Sequence, residues 1–401
     1  MITSQQTLFR RVSIFSFAIF ILFVPFNPFP ISEWPIPLSP SDLALVASLI
    51  SYLIFVCLSR NVSGDILADG FLFSIFCLSV VFSTMINSGG LSSPTPVRLP
   101  VKITCVYLLA FFHMCSIPNL RYLLRFYTYS AVIVSGIAIS QSVLGLLLWM
   151  GRPAPARSLF GFQFPFTRSA GPFGTYGDFG MFLIFILPIL LYTVYHPQLK
   201  SILASRDRDS AAVIIILFSL FLSQTRSIWL SAFISIGLLS LYRFCSTRSI
   251  SKTTLMVSGG SLGSGALILI GILYRVNPDS ALRRLRVYVA AGEVLLSNPM
   301  LGTGFGQFLE VAPSSIKTVV HNLFLEALVT VGFLGFIPLA WLCCRNLIRS
   351  VNYTHRNTGT TVPLVIGFVG ALTISQVTPA LWSAEFWMPL GILGGSLLLP
   401  E

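Results

Sequence analysis

Residues 179–196 read FGMFLIFILPILLYTVYH, eighteen positions without an acidic or basic side chain other than the closing histidine, and this stretch decides the class of fold. A bilayer core takes about 20 apolar residues per helix, with a range of roughly 17–25. In lipid the backbone N–H and C=O groups meet no water, so such a run must satisfy them internally as a helix. Similar runs recur along the chain. Working outward gives twelve expected spans, at about 12–29, 42–59, 66–86, 101–117, 127–150, 179–196, 211–224, 227–244, 254–275, 322–345, 362–379 and 383–399. Composition agrees: 55% of the 401 residues are hydrophobic and 9% charged, against roughly 25% charged in a soluble domain. The expected fold is all-α and polytopic, a single integral membrane domain over 1–401. Its longest non-membrane segment, 276–320, lies between the ninth and tenth spans.

Arg10-Arg11 and the apolar run that follows imitate a signal peptide, but Pro25, Asn27, Pro28 and Pro30 stand where a small-x-small cleavage site belongs. The run is therefore expected to be an uncleaved first span. With the amino terminus in the cytoplasm, twelve spans return the carboxyl terminus to the same side. Fourteen of the 25 Lys and Arg residues then fall on the cytoplasmic face. The others concentrate in the loop 151–178, at Arg226 and in the loop 276–320, with only Arg98 and Lys102 standing apart. Basic residues kept on the outer face against the orientation bias point to an anionic ligand. Nucleic acid is excluded despite the net charge of +12, because no basic run of five or six exists and the 34 Phe residues lie in the apolar runs. The seven cysteines sit in apolar runs or at cytoplasmic ends and imply no disulfide framework.

Within 276–320, Leu282, Leu285, Val289, Gly292 and Leu296 repeat at helical spacing, which predicts an amphipathic helix over about 280–297. Gly302-x-Gly304-x-Gly306 follows a helix, not a strand, so it reads as a loop needing positive φ or a close backbone approach, not as a nucleotide site. Asp207-Arg208-Asp209 is a literal D-x-D, but it sits in a short loop with no domain to hold a nucleotide, and reads as a chance occurrence. His113, His196 and His355 read as hydrogen-bonded structure. His321 differs, standing at the outer edge of a span beside Asn322 and one turn before Glu326. Its neutral imidazole is available as a general base near pH 7. Arg226 lies in a tight connection between two spans, either reaching lipid head groups or clamping a phosphate bidentately. Arg283, Arg284 and Arg286 offer a second clamp, or the contact of an interfacial helix with anionic lipid.

Taken in order, several of these pieces resemble the O-antigen ligase and polymerase superfamily. They are Arg168-x2-Gly171-x-Phe173, Thr225-Arg226-Ser227-Ile228-Trp229 and Arg284-x3-Tyr288-x2-Ala291, then Asn298-Pro299-Met300-Leu301-Gly302-x-Gly304-x-Gly306-x-Phe308. His321-Asn322-x2-Leu325-Glu326 and Gly332-x2-Gly335 complete the set. Asp178 stands where the family commonly has Asn, and Tyr288 where it has Trp. The resemblance implies a GT-C-like glycosyltransferase of the bacterial inner membrane. Such an enzyme passes a glycan from undecaprenyl pyrophosphate to an acceptor hydroxyl at the periplasmic face, with inversion and without metal or other cofactor. The acceptor would be a lipid A core sugar, a protein or another lipid-linked glycan. It further implies that Arg226 and Arg284 hold the pyrophosphate and His321 deprotonates the acceptor, with Arg168, Arg283, Arg286, Asn322 and Tyr288 lining the substrates. The alternative is a transporter or flippase for a lipid-linked glycan, which predicts charges buried mid-span and broken helices at matching points of two repeats. No such repeat is visible in the sequence.

Overall fold

The computed structural model describes residues 4–26, 39–59, 64–88, 95–114, 117–144, 158–159, 162–163, 166–196, 201–246, 278–316, 318–354 and 361–396. Its helices are α1 Ser4–Phe23, α2 Pro40–Ser59, α3 Gly64–Ser88, α4 Thr95–His113, α5 Ile117–Leu144, α6 Tyr176–Tyr195, α7 Arg206–Leu222 and α8 Arg226–Ser246. They continue with α9 Pro278–Ser297, α10 Phe308–Val311, α11 Leu323–Thr354, α12 Thr361–Ser375 and α13 Ala384–Ser396. One small departure from an all-helical chain is an antiparallel pair, β1 Ser158–Leu159 with β2 Phe162–Gln163. Seven of the described helices are long and apolar enough to cross a membrane, and Arg226–Tyr242 and Thr361–Ser375 are shorter apolar helices. The chain is a multi-pass membrane protein. The span expected at 254–275 lies outside the described residues. Those expected at 211–224 and 383–399 fall on α7 and α13, of 17 and 13 residues, which at 1.5 Å per residue reach only about 25 and 20 Å.

The residues divide into two compact units. The first comprises Met1–Ser130, Arg284–Thr361 and Ser375–Glu401, and the second Ala131–Arg283 with Val362–Ile374. In the second unit α6 is the core, buried from Phe179 through Thr193. Its start is set by Thr175, whose hydroxyl accepts from the Asp178 N–H at 3.0 Å and donates to the Asp178 carboxylate at 2.7 Å. Small residues bring α12 against it: a Cβ on Gly367 would stand 2.3 Å from the Phe185 carbonyl oxygen.

The first unit is organised around charges that would be costly in lipid alone. Arg98 and Lys102, the two residues that broke the orientation pattern, both pair with Asp42, at 3.1 and 2.6 Å. Asp69 is fully buried and pairs with Arg345, while the Tyr107 hydroxyl donates to its other oxygen at 2.6 Å and accepts from Asn346 at 2.9 Å. His113 is buried against the Ser13 hydroxyl at 3.1 Å, a structural histidine as expected.

The helix of the 276–320 segment forms, at Pro278–Ser297, and its inward face is not the stripe that marked it in the sequence. Val287, Ala290, Ala291 and Val294 are buried, the first, third and fourth of them packing with Phe308, Ala312, Val320 and Val329, while Leu282, Leu285, Val289 and Leu296 face outward. Its sequence is apolar on two stripes, and packing selected the less conspicuous one. The tight turn expected before the last span is instead the eight-residue connection 376–383. Pro379 lacks an N–H and disfavours helix at the residue before it.

The most consequential feature of this unit is the interruption of α11 at Gly332, where φ is 60° and ψ −166°. The glycine loop fills the break. Thr303 N–H donates to Val329 O at 2.7 Å, Gly304 N–H to Thr330 O at 3.0 Å, Phe333 N–H to Pro299 O at 2.9 Å and Leu334 N–H to Met300 O at 3.2 Å. The end of α3 closes over it: Ser83 donates to Thr330 O at 3.0 Å, Asn87 to Gly302 O at 3.1 Å, and Thr84 accepts from Phe305 N–H at 2.9 Å. Gly302, Gly304 and Gly306 have φ of 64°, 89° and 76°. At the first two a Cβ would also collide with backbone, 2.4 Å from Val329 O and 2.8 Å from Thr84 Cα.

Two substitutions test this packing. Gly332→Ala forces a side chain into a glycine-only conformation and against the Met300 carbonyl carbon at 2.3 Å, a loss of about 3 kcal/mol or more. Gly306→Ala has the positive φ but open space around it, and costs about 1 kcal/mol. Thermal unfolding of the detergent-solubilised chain distinguishes them; equal midpoints for the two variants would rule out the zippered break.

Candidate active site

The sequence-predicted residues fall into two groups, one in each unit. In the second unit the group is built on the connection between α7 and α8. Ser223-Gln224-Thr225 turns the chain with Gln224 at φ 48°, a strained value for a side-chain-bearing residue. Three contacts hold it there. The Gln224 amide donates to Phe166 O at 2.8 Å, Trp229 Nε1–H donates to Leu220 O at 3.0 Å, and Trp229 stacks on Phe221. Arg168 supplies the fourth restraint: Nε donates to Ser223 O at 3.0 Å, Nη2 to the Thr225 hydroxyl at 2.9 Å, and the guanidinium lies 3.8 Å from the Tyr176 ring centroid. Arg168 is thus a buried brace of the turn. The turn delivers Arg226, half-buried, as the first residue of α8. An arginine there opposes the helix dipole, a local cost of about 0.3–1 kcal/mol. An anion at the same place would reverse that sign, since it meets both the guanidinium and the positive helix end.

The same unit accounts for the D-x-D. Asp209 is buried in the first turn of α7, and its carboxylate accepts from Ile202 N–H at 3.0 Å, Leu203 N–H at 2.9 Å and the Thr193 hydroxyl at 3.1 Å. These bonds fix the loop entering α7, a structural role.

In the first unit the group surrounds His321. Its imidazole is half-buried, Nε2 lies 3.1 Å from the Thr318 hydroxyl, and its carbonyl accepts from the Tyr288 hydroxyl at 3.1 Å. Asn322 caps α11 through the Leu325 N–H at 3.0 Å, and its amide nitrogen donates to Gln376 Oε1 at 3.0 Å. Arg284 and Tyr288 lie one turn apart on α9, on the side that meets this group, whereas Arg283 and Arg286 are exposed. Arg284 is half-buried yet makes no hydrogen bond or ion pair among the described residues. Burial holds the His321 imidazole below its ordinary range, and the Arg284 charge pushes in the same direction. A neutral imidazole beside an uncompensated guanidinium suits proton abstraction next to a bound anion.

Sequence reasoning missed Thr318, Gln376 and the α3 trio Ser83, Thr84 and Asn87. Thr318 stood three residues from His321, a detectable proximity. The others lie 54 residues or more from their partners in the chain, beyond any local pattern.

The electrostatic coupling is directly measurable. In a chain with His196 and His355 replaced by Gln, the reactivity of His321 toward diethylpyrocarbonate should follow the neutral imidazole, with a midpoint below about 6.5. Removing the neighbouring positive charge in Arg284→Gln should move that midpoint upward; an unmoved or lowered midpoint would show that Arg284 does not act on His321.

Comparison with known proteins bears on the same residues. Residues 211–340 match the family model described as O-Antigen ligase, while no curated protein matches the chain. The stretch that holds Arg226, Arg284 and His321 is therefore the part of the chain that is similar to O-antigen ligases.

Proposed function

We propose that this protein transfers a glycan from undecaprenyl pyrophosphate to an acceptor hydroxyl at the periplasmic face of the bacterial inner membrane, with both chain termini in the cytoplasm. The observation that carries this reading is Arg284, a half-buried guanidinium without a partner among the described residues, beside the lowered imidazole of His321 within the matched domain. Four other basic side chains inside the packed structure are engaged: Arg98 and Lys102 by Asp42, Arg345 by Asp69, Arg168 by the α8 turn.

In this mechanism Arg226 and Arg284 bind the pyrophosphate and stabilise the charge that grows on it as the sugar–phosphate bond breaks. His321 takes the proton of the acceptor hydroxyl while its oxygen bonds to the anomeric carbon, giving inversion. The ring nitrogen left without a proton carries the accepting lone pair, the Thr318 hydroxyl lying 3.1 Å from Nε2. Undecaprenyl pyrophosphate leaves. The donor brings its own activated leaving group, so the reaction calls for no metal or nucleotide. Arg168 acts through the turn it braces, Tyr288 and Asn322 hold the His321 backbone and the start of α11, and Arg283 and Arg286 remain on the outer face of α9. The acceptor is a lipid A core sugar, a protein or another lipid-linked glycan.

The transport alternative has two features in its favour, a broken helix and a buried charge pair. Both are met from within the chain: the freed backbone groups at Gly332 by the loop 299–304, and the Asp69 carboxylate by Arg345 and Tyr107. Neither leaves the open backbone groups with which broken transporter helices hold substrate.

The test compares surface glycans of a deletion strain carrying the wild-type chain or His321→Ala, with extracted undecaprenyl-linked glycan run beside lipopolysaccharide. A correctly inserted variant should restore about a thousandfold less transferred glycan or none. Long polymer stranded on undecaprenyl then identifies a ligase, and single repeats on core identify a polymerase. Full restoration would remove the base from the mechanism.

A further inference from the structure

Helix α9 has one more apolar face than its own core uses. Val287, Ala291 and Val294 are buried in the cluster with Phe308 and Val329. On the opposite side Leu282, Leu285, Val289 and Leu296 are 51%, 56%, 55% and 82% exposed, and Met300 beyond the helix end is 60% exposed. These values match the outward side of α3, a helix apolar enough to cross the membrane, where Leu67, Phe71 and Leu78 are 62%, 66% and 65% exposed. Arg283 and Arg286 are exposed on the same first turns as Leu282 and Leu285.

We propose that α9 lies in the plane of the membrane–water interface, its Leu282–Leu285–Val289–Leu296 stripe sunk among acyl chains and Arg283 and Arg286 at the phosphates of anionic lipids. Two arguments select lipid over a protein partner. The stripe runs along a helix whose other face is already packed, the arrangement of an interfacial helix. Long guanidinium side chains beside the stripe can bury their stems in lipid while the charged heads reach the phosphate layer. The consequence concerns Arg284, which shares the helix with the immersed stripe: depth of immersion sets the level of its guanidinium relative to lipid-borne phosphate. That consequence rests on the transfer reading above; the immersion itself does not.

The experiment uses the full chain with its cysteines replaced by serine, a single cysteine introduced as Val289→Cys or Glu310→Cys, and an environment-sensitive fluorophore attached. The labelled protein is placed in nanodiscs of phosphatidylglycerol and phosphatidylcholine whose acyl chains are brominated. Immersion predicts about twofold or greater quenching at position 289, little at 310, and a weaker effect at 289 when Arg283→Gln and Arg286→Gln are combined or phosphatidylglycerol is omitted. Quenching at 289 by aqueous iodide instead of brominated lipid would overturn the proposal. So would protection from both quenchers with cross-linking between copies through Val289→Cys, which would assign the stripe to a second chain. Adding His321→Ala to the labelled protein leaves the quenching unchanged if immersion is correct, whether or not the transfer mechanism holds.

Discussion

Inside a bilayer every backbone N–H and C=O must find a partner within the protein, and the break at Gly332 shows how much of this molecule follows from that requirement. Interrupting α11 within the apolar stretch Leu323–Ser350 frees carbonyls on one side and N–H groups on the other. The loop from Pro299 to Gly304 answers them bond for bond, and Ser83, Thr84 and Asn87 answer the loop in turn. The stretch from α9 to α11 is thereby tied to α3. Because α9 carries Arg284 and Tyr288, and His321 and Asn322 immediately precede α11, the same bonds that satisfy the backbone fix the elements on which the candidate base and its neighbouring cation stand.

The electrostatics follow a similar economy. Charged side chains in the packed regions are matched locally, Asp42 with two cations and Asp69 with Arg345 and Tyr107, because an isolated charge in lipid is expensive. Arg168 is held by neutral groups as well: its donors go to a carbonyl and a hydroxyl and its face to Tyr176. Against that background the exposed Arg283 and Arg286 and the half-buried Arg284 stand apart, with no ion pair among the described residues. The D-x-D belongs with the locally matched charges, since Asp209 spends its oxygens on the entry to α7.

Much of the candidate site was legible in the residues that carry chemistry. His321 stood out by its place at a span edge, Arg226 by its tight turn, and Arg284 with Tyr288 by the motif that carries the family resemblance. The glycines at 302, 304 and 306 were legible as positions of positive φ, and the structure gives all three such values. What they approach was not legible, because Val329 and Thr84 lie far away in the chain. Arg168 illustrates the opposite limit. The resemblance implied a substrate ligand there, while its engagement with Ser223 and Thr225 depends on a contact 55 residues distant.

By itself the sequence determined the medium and the periodic elements, because hydrophobic length and a scarcity of charge are properties of each segment alone. It also determined that α9 is a helix, since spacing fixes which residues share a face. Only the tertiary structure decided which of its two apolar faces turns inward, because both stripes satisfy the same period and the choice lies with Phe308, Val320 and Val329, which complement one and not the other. The interruption of α11 was decided in the same way: a glycine permits the break, but it persists only because a loop and a distant helix supply the hydrogen bonds it releases.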